Sequence, residues 1–71
     1  MTFVQHVASF IGYAGSVDTF DWEKNQTQVN LLADQFAVAP LTVVRWAAGI
    51  ATPHPMLQQD ILTFIKQQAR P

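Results

Sequence analysis

The side chains in this chain that could react or titrate are few, and their spacing argues against work on a substrate. His6 and His54 are lone histidines far apart in sequence. The chain has no cysteine, and no carboxylate stands at ligand spacing beside either histidine, so no metal site is expected. Ser9 and Ser16 have no neighbouring base and no nucleophile elbow around them. The acidic residues do not form a pair suited to general acid and base work. The chain therefore reads as a non-enzyme that needs no cofactor. What remains are polar side chains that can bind rather than react.

Helices must position these groups. Phe3, Val7, Ile11 and Ala14 recur at helical spacing with Phe10 beside them, which predicts a helix from Thr2 to Gly12. Thr2 serves as its N-cap, and Gly12, Gly15 and Ser16 supply the stop. Residues 13–25 read as a loop with at most a short helical turn, whose Phe20 and Trp22 fold back on the core. A second helix is expected to start at Asn25–Gln28, with Asn25 as N-cap, Gln28 completing a capping box and Thr27 as a competing cap. Val29, Leu32, Ala33 and Phe36 form its inner face, to about Ala37. Pro40 suits the first position of a third helix. That helix carries Val43, Trp46 and Ala47 inward and stops at Gly49. Residues 50–55 are a loop stiffened by Pro53 and Pro55, in which His54 closes the loop or caps the next helix. Leu57, Ile61, Phe64 and Ile65 make the buried face of the last helix, with Lys66 and Arg70 in its final turns. No strand with hairpin turns is expected. The fold class is all-α: a bundle of four to five helices in one domain, residues 1–71, with a helix-turn-helix core at about 27–49.

In that core the turn is Val38-Ala39-Pro40, Ala33 is the small residue at the helix crossing, and Val38, Val43 and Trp46 are the pegs that fix the angle. The run Leu32-Ala33, Phe36-Ala37-Val38, Thr42-Val43-Val44-Arg45-Trp46-Ala47-Ala48-Gly49 and Pro53 resembles the lambda-repressor-like, or Cro/repressor, helix-turn-helix family. The resemblance covers about residues 28–65, and T-V-x-R-W-x-x-G-x-x-x-P falls in order without a gap. The first 25 residues depart from it, with an acidic, aromatic connection where the family has a short basic helix. The resemblance implies a bacterial or phage transcriptional regulator, and a recognition helix from Leu41 to Ala48 that enters the major groove of double-stranded DNA. Thr42 then bonds a phosphate or a base edge, and Arg45 a phosphate or the O6/N7 edge of guanine. The glutamine often found at the start of the family's second helix falls on Val29, with Gln28 adjacent. The family's turn glycine is Ala37, and the serine that caps its recognition helix is Ala39.

The outward positions of the recognition helix are expected at Leu41, Val44 and Ala48, where polar residues are usual. Leu41 and Val44 either touch DNA, face a partner protein, or pack on the loop holding Phe20 and Trp22. Trp46 and Phe36 belong to the core.

Composition sets the competing reading. Charged residues are 13% of the chain and the net charge is −1, with four basic residues in all. Phosphate contacts need Lys and Arg, and Asp18, Asp21 and Glu23 would repel a phosphate backbone on the same side. The alternative is therefore a protein-interaction module on a helix-turn-helix scaffold, binding DNA weakly or not at all. So apolar a chain is expected to carry surface patches for a homodimer or a partner protein. The apolar run Phe10–Gly15 has no Lys or Arg before it and is preceded by Gln5 and His6, so it does not read as a signal peptide. No stretch reaches the roughly 20 apolar residues of a membrane span, and the lack of cysteine fits the cytoplasm.

Overall fold

Helix boundaries in this chain are set by local capping chemistry, and three of the four helix starts lie where the sequence puts them. In the computed structural model, which describes residues 2–16 and 18–68, four helices follow one another: α1 (Phe3–Ile11), α2 (Trp22–Phe36), α3 (Pro40–Ala48) and α4 (Pro55–Gln68). Thr2 caps α1 through a full capping box: Gln5 N–H donates to Thr2 Oγ1, and Thr2 N–H donates to Gln5 Oε1. Pro40 opens α3 and Pro55 opens α4, each where its missing N–H costs nothing. At α4 the imidazole of His54 closes the cap, its Nδ1 accepting from Met56 N–H at 3.2 Å. Ala14 lies beyond the end of α1 and is exposed, so it does not extend that helix's inner face. Arg70 lies outside the described residues.

α2 begins earlier than the sequence suggests. Asp21, not Asn25 or Thr27, is its N-cap, with Oδ1 accepting from Lys24 N–H at 2.9 Å. Asn25 sits inside the helix and donates its Nδ2 to the Asp21 carbonyl at 3.0 Å. The added turn has something to pack on. Trp22 meets Phe20 edge to face at 5.3 Å, and Phe20 in turn lies against Tyr13.

Three helix ends close in the same way, with the residue after the helix left-handed and the next N–H reaching back five residues. Tyr13 N–H donates to Ala8 C=O past Gly12, Val38 N–H to Ala33 C=O past Ala37, and Ile50 N–H to Arg45 C=O past Gly49. This is the Schellman closure. Two of the three pivots are glycine; the third, Ala37, holds φ at +54° with an exposed side chain. An L-residue in that region costs about 1–2 kcal/mol. Glycine removes the strain but adds freedom to the unfolded chain, worth about 0.4–1 kcal/mol. Ala37→Gly is therefore expected to raise stability by about 0.5–1 kcal/mol, measured as a higher urea midpoint at unchanged m-value. A lower midpoint would mean the Ala37 methyl does more for packing than its exposure allows.

The buried residues form one cluster. Val7 and Ile11 come from α1, Val29, Leu32 and Ala33 from α2, Val43, Val44, Trp46 and Ala47 from α3, and Ile61 and Ile65 from α4, with Phe20 from the connection. α3 packs against α1 and α2, and α1 also meets α4. Trp46 contacts Phe3 edge to face at 6.3 Å, tying α3 to α1. Phe36, only part-buried, meets Phe64 at 5.8 Å and so ties the end of α2 to α4. No helix among the described residues is long and apolar enough to cross a membrane.

Candidate functional site

α2 and α3 are joined by residues 37–39, a turn short enough to hold the two helices against each other. Ala33 on α2 and Val43 and Trp46 on α3 are all buried, and the ring of Trp46 lies against Phe3 of α1. Val38 in the turn is packed on the same cluster. Ala39 is the N-cap of α3 and gives its first turn no side-chain hydrogen bond. Thr42 N–H instead donates to Ala39 C=O at 2.9 Å, tightening that turn.

α3 is covered over most of its circumference. Val43, Val44, Trp46 and Ala47 are all buried, because α1 packs on this helix as well as α2. Val44 has no exposed surface at all, so it is not an outward recognition position. The free edge is Leu41, Arg45 and Ala48, at i, i+4 and i+7. Leu41 is 42% exposed, Arg45 is exposed, and Thr42 and Ala48 are half-buried beside them. Three of the four α3 positions singled out by sequence thus reach the surface together: Leu41, Thr42 and Arg45. Gln28 does not join them. It is half-buried, and its Nε2 donates to Phe10 C=O at 3.5 Å, fastening α2 to the end of α1.

A shallow groove of about 430 Å³ lies between the start of α2 and the start of α3. Trp22, Glu23, Gln26, Val29, Asn30 and Pro40 line it. Sequence reasoning passed over these as binding residues. The available signal was Trp22, a large aromatic set among acids, but its use depends on where α3 begins in space. Glu23 and Pro40 both line the groove, so the start of α3 shares it with an acidic residue. Arg45 is the only Lys or Arg on α3.

Among the described residues no three His, Asp or Glu side chains gather where a metal ion could sit. No buried side-chain nitrogen or oxygen among them lacks a hydrogen-bond partner, so none is held in reserve for a ligand inside the core. No family model, curated protein or solved structure matches the chain.

Proposed function

We propose that the chain is a DNA-binding transcriptional regulator of the lambda-repressor-like helix-turn-helix type, and that it presents the Leu41–Arg45–Ala48 edge of α3 to the major groove. One observation carries this reading. The helix after the tight turn at 37–39 is covered over most of its circumference, and its free edge bears its single arginine. Arg45 is long enough to reach a phosphate or to pair with guanine in two-point fashion. Thr42 supplies a hydroxyl next to it, and Leu41 an apolar contact of the kind a thymine methyl takes. Val44 packs the scaffold and Gln28 braces α2. A single copy would bury little on a duplex, so binding as a homodimer is part of the proposal.

The test is a titration of the isotope-labelled chain with random-sequence duplex at low salt. The amides of Leu41–Ala48 are expected to shift. The salt dependence should be shallow, with a log–log slope of about −1 to −2 per chain, because so few cations face the duplex. Arg45→Ala is expected to weaken binding about tenfold, within the range of a two-point arginine contact. A flat titration ends this reading.

A second reading has its own support. Leu41 is a large exposed apolar side chain at the start of α3. It suits a protein contact on this edge better than a phosphate backbone, and this reading expects the flat titration.

A further inference from the structure

We infer that the groove between the start of α2 and the start of α3 docks an arginine side chain presented by a basic segment of a partner protein. The inference concerns a different surface from the free edge of α3 and does not rest on DNA binding.

The groove combines three features that suit a guanidinium. The first is an aromatic wall. Trp22 uses part of its indole against Phe20, yet 39% of its surface stays exposed. A planar cation stacks on such a ring, and tryptophan is the best of the aromatics for this. The second is charge. Glu23 lines the groove, and among the described residues no Lys, Arg or His does. Asp21 stands next to Trp22, though its Oδ1 is already engaged by the Lys24 N–H. The third is shape and polarity. Pro40 offers apolar surface for the arginine stem, and the polar residues Gln26 and Asn30 line the same groove. Arginine fits this set better than lysine, because it stacks and donates from a plane, whereas lysine carries a compact, strongly hydrated charge. The Glu23 charge in turn disfavours a phosphate. Charge complementarity therefore selects a basic protein segment over nucleic acid for this groove.

The test uses the full chain and a capped pentapeptide with one arginine between pairs of alanines, with no DNA present. A matched peptide carries citrulline, which keeps the shape and loses the charge. The Trp22 indole N–H and the amides of Glu23, Gln26 and Asn30 are expected to shift with the arginine peptide at millimolar concentration, and not with the citrulline peptide. Glu23→Gln, at an exposed position, is expected to weaken the arginine response about fivefold, the upper end for a part-exposed ion pair. Equal response to citrulline, no response in the groove, or an unchanged response in Glu23→Gln would overturn the inference. So would groove shifts that appear without peptide as the chain's own concentration rises, since they assign the groove to a second copy. Duplex DNA that moves the groove amides in place of the α3 edge would overturn it as well.

Discussion

Val44→Asp is expected to abolish the cooperative unfolding transition of this domain, whereas Leu41→Asp, three residues earlier on the same helix, should leave it nearly intact. Val44 has no exposed surface, and no polar or charged side chain among the described residues is buried near it to share a carboxylate's charge. An unpaired buried charge costs several kcal/mol after the structure relaxes. A domain this small has roughly 5 kcal/mol of stability to lose. Leu41 is 42% exposed, so a carboxylate there stays in water and costs at most about 0.5 kcal/mol. Thermal melts followed by circular dichroism separate the two variants. If Val44→Asp melted cooperatively within a few degrees of the parent, Val44 would have to be surface-facing, and the binding edge of α3 would be redrawn through it.

Trp46→Ala should cost about 3–5 kcal/mol, the usual range for deleting a buried tryptophan. Trp46 is 3% exposed, and its ring meets Phe3 edge to face at 6.3 Å. Removing it opens a void where α3 leans on α1, and also removes an aromatic pair worth about 0.5–1.5 kcal/mol beyond its area. Trp46→Phe keeps a ring in place and should recover more than half of the loss. Urea midpoints give the measurement. A cost below about 1 kcal/mol for the alanine variant would mean that α1 and α3 are held together by other contacts.

How much of this was legible in the sequence depended on whether the deciding force was local. Thr2 acts through its own hydroxyl and Gly12, Pro40, Gly49 and Pro55 through their own backbone, and both ends of α1 and α3 and the start of α4 follow them. The start of α2 was not decided locally. Asp21, Asn25 and Thr27 are all competent caps, and the choice went to the one that lets Trp22 reach Phe20, a contact the pattern does not display. Val44 failed for a related reason. Leu41 and Val44 are both apolar and both flank the Val43–Trp46–Ala47 stripe, so their fates differ only once α1 and α2 are packed around α3. Gln28 looked free for a ligand because its bond to Phe10 spans eighteen positions of sequence. The groove was invisible because its walls come from two helices whose relative placement no single segment encodes.

The chain has two tryptophans, and their different surroundings make them separate optical reporters. Trp46, at 3% exposure, sits in the dry interior, while Trp22, at 39%, borders the groove. The buried indole emits at shorter wavelength and is shielded from aqueous quenchers. The groove indole emits further to the red and is open to them. Fluorescence of the unlabelled, unmodified protein thus has one channel that follows the integrity of the core and another that follows occupancy of the groove.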